Sequence, residues 1–458
     1  MPDPATLAPA STGLSWYLPD RERRRQIFQI ALPMMGGMLS QNILNLVDTA
    51  MVGTIGDVAL AAAGMGSFAN FMCVAIILGI STGVQAMASR RLGEGRDSET
   101  AIPLNGGLYL ALLLGVPLSF LLMSLSDTIF AWLNDDPAVV AAGGPYLEVR
   151  LAAMVGVGMN FAFRGYWSAV KLSHLYMGTL LAMHVVNIFL NWVLIFGNLG
   201  APELGVYGAG LATTISIYLG TAIYLALAWI HSRPAGFLVR VPCRQTIMTM
   251  IRISLPSSCQ QVFFAAGMVT LFWIVGQIGT AELAAVHVLM TLALVAILPA
   301  MGIGIAGASL VGHALGAEDT RDASRWGWNV AVLAAVVGLA IGIPAAVLHE
   351  PILGVFLTDA ETLELARLPV LLMCLTVWFD AAGMTLFNAH LGAGASKRVM
   401  MITIATQWGL FLPLAYLVGP TLGLGLLAVW CLQMSYRSLQ AVLFMRSWRT
   451  GRWAGISV

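Results

Sequence analysis

VGTIG at residues 52–56 and VGQIG at residues 275–279 stand 223 positions apart, and that spacing persists along the chain. Upstream, Ile30, Leu32 and Pro33 of IALP meet Ile253, Leu255 and Pro256 of ISLP. Downstream, Leu60, Ala61 and Ala62 meet Leu283, Ala284 and Ala285; Gly79 and Ile80 meet Gly302 and Ile303; Leu92 and Gly93 meet Leu315 and Gly316; Ser173 meets Ser396. One unchanged offset over so much chain marks an internal duplication. A long apolar chain built from two copies of one unit is the pattern of transporters, whose substrate sites lie between the repeats and whose access alternates as one repeat rocks against the other.

The chain is 59% hydrophobic and only 10% charged, with a mean hydropathy of +0.84. That leaves too little polar surface for a water-soluble globule of this length. Apolar runs long enough to cross about 30 Å of hydrocarbon fall near 27–52, 60–88, 102–124, 139–163, 174–197, 205–230, 247–276, 283–312, 327–348, 364–390, 399–418 and 421–445. The expected fold is an all-α integral membrane protein with twelve transmembrane helices, six per repeat. An even number per repeat sends both copies into the membrane in the same direction. The organisation read from this is a tail at 1–26, a first lobe at 27–230, a basic linker at 231–246, a second lobe at 247–446 and a tail at 447–458. Pro2, Pro4, Pro9, Pro19 and the arginines at 21, 23, 24 and 25 precede any apolar core, so the first tail reads as retained rather than as a signal peptide. Poor order is expected up to about Trp16. The five cysteines are scattered without metal-type spacing and read as small core residues, with no metal site implied.

With the N-terminus inside, all but Arg150 and Arg367 of the 23 Lys and Arg residues fall on one side, which places both termini in the cytoplasm. The basic residues follow topology, and the net charge of +1 implies no nucleic-acid partner. Two acids remain inside hydrocarbon, Asp48 and Asp380, with no Lys or Arg deep enough in their spans to be an obvious fixed partner. A carboxylate there costs about 2.5–3.5 kcal/mol on insertion scales, so an apolar residue is expected unless the acid binds or carries something. Burial also makes a carboxyl hold its proton more tightly, which suits loading and unloading during a cycle. Met34, Met38, Gln41, Asn45 and Asp48 recur at helical spacing and share one stripe. His184, Asn187 and Asn191 do the same in the fifth span, with the two asparagines at a depth similar to Asp48. Pro33 and Pro256 occupy the same early position in their repeats, where a proline frees a carbonyl and permits bending. Pro33 is the candidate hinge.

The stretch VDTAMVG at 47–53, NIFLNWVLIFG at 187–197 with GVYGAGLAT at 205–213, and the tenth-span acid followed by LGAGASKR at 391–398 resemble the multidrug and toxic compound extrusion (MATE) transporters. The resemblance runs from about Ile27 to Arg452. It implies two six-helix lobes forming a V around a central cavity. It also implies export of cationic or amphiphilic compounds driven by inward proton or sodium flow, in the bacterial inner (plasma) membrane. By position, Asp48, Asn187 and Asn191 are the expected coupling site. Gln41, Asn45, Met34, Met38, His184, Gln260, Gln261, Phe264 and Asp380 are the expected cavity residues. Two departures matter. Members of the sodium-coupled NorM-type branch carry Glu where this chain has Phe264, and DinF-type members often carry Asp at the position of Asn191. A single acid without a carboxylate partner suits a proton better than a metal ion, so protons are the expected coupling ion and sodium the alternative, with no other cofactor. The expected partners are small amphiphilic or cationic molecules and membrane lipids, and the expected state is a monomer.

Other classes stay open on residues alone. An intramembrane enzyme lacks support, since the chain has no HExxH or P-loop. A flippase for lipid-linked precursors would need basic residues for a pyrophosphate, and the central spans offer only His184 and His390.

Overall fold

Inside hydrocarbon each backbone N–H and C=O must find its partner within the segment, and the described residues answer with helices and no strand. The structure, a computed structural model, describes residues 16–357 and 359–458. The stretch before Trp16 lies outside the described residues. The helices are α1 (Arg21–Gly53), α2 (Asp57–Leu78), α3 (Ile80–Gly93), α4 (Ile102–Ser124), α5 (Ser126–Leu133), α6 (Pro137–Leu151), α7 (Met154–Ala169), α8 (Ser173–Phe196) and α9 (Gly205–His231). They continue as α10 (Arg244–Gly276), α11 (Thr280–Gly316), α12 (Thr320–Val347), α13 (His349–Phe356), α14 (Ala360–Gly392), α15 (Ser396–Ile404), α16 (Leu412–Tyr416) and α17 (Gly425–Arg449).

Among the described residues, 10 helical segments are long and apolar enough to cross a membrane, and α6 with α7, bent by 47° at their break, makes an eleventh. The twelfth expected helix is α17, which is long enough, but Gln433, Arg437 and Gln440 make it more polar. The span expected at 399–418 is not a regular helix. Two π-helical stretches, Ala405–Phe411 and Leu417–Thr421, flank α16. Helix starts use short acids. Asp136 accepts from the Ala138 amide ahead of Pro137, and Asp359, its mate at the same offset, accepts from the Thr362 amide, both at 2.9 Å. Not every cysteine is a core residue: Cys374 is buried, whereas Cys243 and Cys431 are exposed.

Packing divides the chain into two compact units. One is Gly36–Gln261; the other joins the described residues up to Met35 with Val262–Val458. The lobes read from spans differ from these units at α1 and α10, each of which is one continuous helix that begins in one unit and ends in the other. The cause is a matched pair of close approaches. Gly79, between α2 and α3, has no room for a Cβ against the Ser254 carbonyl and the Ser258 amide of α10, and its N–H donates to Ser258 Oγ at 3.2 Å. Gly302 of α11 lies in the same way against Ala31 and Met35 of α1, and all three positions are the duplication mates of the first set. Further along the same contact, Thr82 and Ser257 share a hydrogen bond of 3.0 Å.

The beginning of α1 is helical from Arg21, inside the segment read as a tail. Arg23 pairs with Asp322 of α12, donates to Asn329 Oδ1 at 3.1 Å and lies over the Trp326 ring. Asn329 in turn donates to the carbonyls of Trp16 and Tyr17. Ile27, Ile30 and Ala31 then enter a core with Ile303, Leu310, Val330 and Leu386.

Glycine is required at 79 by backbone and at 302 chiefly by a flexible methionine side chain. Gly79→Ala is therefore expected to lower the Tm of the detergent-solubilised protein most, by a destabilisation of about 1–3 kcal/mol. Gly302→Ala should have a smaller effect, and Gly64→Ala, whose Cβ meets nothing within 4 Å, no destabilisation. A thermal unfolding series on the three variants checks the order.

Candidate functional site

In the unit Gly36–Gln261, α1 and α8 run side by side and are joined twice, at positions seven residues apart on both helices. His184 Nε2–H donates to Gln41 Oε1 at 3.2 Å, and Asn191 Nδ2 donates to Asp48 Oδ1 at 2.6 Å. The spacing is that of two helical turns, which keeps both residues of each helix on the facing stripe. Between the two joins, Gln41 Nε2 donates to Asn45 Oδ1 at 3.1 Å. Asn191 also reaches Asn187 Oδ1 at 3.2 Å. With the Asn187 amide turned over, its oxygen accepts from both Thr213 Oγ1 and the Thr213 N–H at 3.2 Å, and its nitrogen stands 3.1 Å from Asp48 Oδ1. One carboxylate oxygen then receives two amide donors. Asn187 and Asn191 are 1% and 0% exposed, and Asn191 Oδ1 is buried without a partner.

Thr213 belongs to this cluster although spacing alone did not single it out. It comes within reach because α9 packs against α8 through Gly208, where a Cβ would stand 2.5 Å from the Leu194 carbonyl oxygen. The signal lay in GVYGAGLAT, whose glycines permit the approach and whose last residue is the hydroxyl. Gln41 and Asn45 are exposed, Met38 and Asp48 half-buried, and His184 buried. Met34 is not brought to them: it is fully buried and falls within the other unit. Gln260 and Gln261 fall in the Asp48 unit, buried and half-buried, with no hydrogen bond to the cluster among the described residues. Pro33 lies inside α1, two residues before Met35, where the helix passes between units.

In the unit that includes Val262–Val458, Asp380 has the fixed partner that counting charges missed. Arg437 Nη2 donates to Asp380 Oδ2 at 2.7 Å, with side chains 19% and 24% exposed. Arg437 is the thirteenth residue of a 25-residue helix, so it lies within α17 and not at the inner face where the charge count put it. Gln440 of the same helix donates to Thr406 Oγ1 at 3.0 Å in the first π-helical stretch. There Gln407 lies against Gly267 of α10. Phe264 is exposed. His390, the second candidate cation, has both nitrogens engaged inside the packing: Nδ1–H donates to Leu386 O at 2.8 Å, and Nε2 meets Ser447 Oγ at 2.9 Å. It is fully buried beside Phe444 and Trp448. Among the described residues no group of three or more His, Cys, Asp or Glu gathers to hold a metal ion. An open depression lined by Asp127, Asn134, Asp135 and Pro145 lies on α5 and α6, apart from the Asp48 cluster.

The MatE family pattern matches residues 33–193 and 256–417, two copies whose starts keep the 223-residue offset of the duplication. A probable multidrug resistance protein NorM of Thermotoga maritima is 27% identical over 452 residues, covering 95% of each chain. One of Burkholderia pseudomallei with the same name is 30% identical, over 98% of this chain and 95% of its own. Among solved structures, an outward-facing multidrug resistance MATE family transporter superposes with a TM-score of 0.85 at 20% identity, over 96% of this chain and 98% of that one. A Vibrio cholerae MATE transporter in the bent form does so at 0.84 and 19%, over 93% and 96%. The duplicated helical chain, its paired close approaches and a family pattern that spans both repeats agree, and this chain belongs to the MatE family of multidrug and toxic compound extrusion transporters.

Proposed function

We propose that the chain is a secondary active multidrug efflux antiporter. It exports cationic or amphiphilic compounds in exchange for protons by alternating access, from the bacterial inner membrane with both termini cytoplasmic. The relatives' name, multidrug resistance protein, supports the transport class. The observation that carries the coupling ion is the company of Asp48: its hydrogen-bond partners are the amides of Asn191 and Asn187, the Arg150 charge also acts on it, and no second carboxylate is described in the cluster. An ionised Asp48 accepts from those N–H groups. Once protonated, it gains an O–H, and the cluster holds a buried acceptor without a partner, Asn191 Oδ1. Both states can therefore be accommodated by turning amides, without importing a charge. Sodium would need about five or six oxygens of which at least one is charged, and it would require Asp48 to stay ionised.

Protonation acts on α1 directly, because Asp48 and Gln41 carry its two joins to α8. Loss of the Asn191 donor to an ionised acid weakens one join, and Pro33 supplies the bend point for the movement that follows. Release of the proton restores the join.

Asp48→Asn keeps size and hydrogen bonding but cannot ionise. It is expected to insert and fold as the parent does while export driven by a pH gradient falls to background, measured in proteoliposomes with matched protein content. Export near the parental rate would remove Asp48 from coupling. In the same vesicles, an imposed pH gradient without sodium should drive efflux, and substrate addition to the detergent-solubilised protein should release protons into weakly buffered medium. Efflux that ignores the pH gradient and stops when sodium is withdrawn would assign Asp48, Asn187 and Asn191 to sodium instead.

A further inference from the structure

Arg437 is the strongest charge that the coupling scheme leaves unused. It stands mid-helix in α17, meets Asp380 of α14 through Nη2 to Oδ2 at 2.7 Å, and also interacts with the Tyr436 hydroxyl. A guanidinium has five N–H donors and can engage a carboxylate with two parallel bonds, so these partners leave donors of Arg437 and the Oδ1 of Asp380 uncommitted. About a fifth of the Arg437 side chain and a quarter of Asp380 remain exposed. Ionisable groups at membrane depth face a bundle interior or a wet cavity and not lipid, so that exposed part is available to water or to a ligand.

Holding α14 to α17 does not account for the pair. Gly383 lets the two backbones approach until a Cβ would stand 2.5 Å from the Ala441 Cβ. His390 meets Ser447 at 2.9 Å, Trp430 Nε1 donates to the Pro369 carbonyl at 2.9 Å, and Phe387 packs edge-on to Phe444. An ion pair in an apolar surround can often be replaced by apolar residues without loss of stability, which makes it a poor choice for a fifth fastening. On α17, Gln433, Arg437 and Gln440 follow one stripe at i, i+4 and i+7. Gln433 is 8% exposed, and its Oε1 is buried without a partner. The same stripe therefore presents a partly exposed guanidinium with a partly exposed carboxylate across from it, beside a buried spare acceptor.

We propose that Asp380 and Arg437 form a recognition pair for zwitterionic amphiphiles. Arg437 takes the anionic group of the substrate with its uncommitted N–H donors, and Asp380 takes the cationic group with Oδ1. The pair is neutral as a whole, so a monocation gains at Asp380 what it loses at Arg437. A molecule carrying both charges meets both partners. This assignment names the substrate class within the efflux reading above and rests on it for its physiological meaning.

Rhodamine B, a zwitterion at neutral pH, and its methyl ester, a cation of nearly the same shape, separate the two cases. Binding to the full-length detergent-solubilised chain is read by fluorescence polarisation, a measurement that requires no ion gradient. The parent is expected to bind the zwitterion more tightly than the ester. Arg437→Gln should weaken the zwitterion by roughly tenfold or more and leave the ester unchanged or tighter. Arg437→Lys should recover part of the zwitterion affinity, since charge returns without the fork. Equal loss of both probes in Arg437→Gln, or a parent that prefers the ester, overturns the proposal. If Arg437→Gln does not fold, the parental preference and Arg437→Lys decide. A parent that shows the binding preference but exports neither probe under a pH gradient would sink the antiport reading and leave the recognition pair standing.

Discussion

Charge inside hydrocarbon has to be compensated within a few ångströms, and this chain meets that demand in two different ways. Asp48 is hydrogen-bonded by neutral amides, with the Arg150 charge acting on it without a hydrogen bond, and those amides can serve an ionised or a protonated acid because an amide presents both a donor and an acceptor. Asp380 is met by a guanidinium, which serves only the ionised form. The first arrangement holds Asp48 by hydrogen bonds from neutral groups and the second holds Asp380 by an ion pair. That difference separates the two units in chemistry although their helices descend from one duplicated plan.

The plan itself rests on small residues at matched places. Gly79 and Gly302 admit the backbone or side chains of α10 and α1, and an ordinary side chain at either would hold the helices apart. The duplication preserved these contacts while the polar residues diverged: the offset from Asp48 leads to Leu271, and that from Asn191 leads to Leu414. Packing was inherited by both copies, and the carboxylate cluster belongs to one.

Much of this was readable in advance, for reasons that differ by residue. The repeat shows in the sequence because the contacts at Gly79 and Gly302 constrain residue type. The facing of Asp48 with Asn191 shows because both helices repeat their polar residues every seven positions. Arg437 was misplaced because topology rules assign basic residues by their distance from loops, and an arginine compensated from another helix breaks that rule while looking like any other. Thr213 carried no charge or periodicity, and only the glycine-permitted approach of α9 gives it a role. The passage of α1 and α10 from one unit to the other could not be read from hydropathy at all, since a span is equally apolar whichever neighbours it has. The π-helical stretches around α16 were hidden for a similar reason, because they alter hydrogen-bond register without altering composition.

That passage of α1 also has a consequence for synthesis. The apolar face of Ile27, Ile30 and Ala31 packs with residues of α11, α12 and α14, so it emerges from the ribosome long before its partners exist. Neither unit can close when the first repeat is complete: Gly36–Gln261 still lacks the beginning of α10, and the other unit has only its first short piece. A chain cut within 231–246 would give two fragments, neither of which contains a whole packing unit. The duplication that looks like two independent modules on paper is therefore a single object during assembly, whose first helix meets its partners only once α11, α12 and α14 have been made.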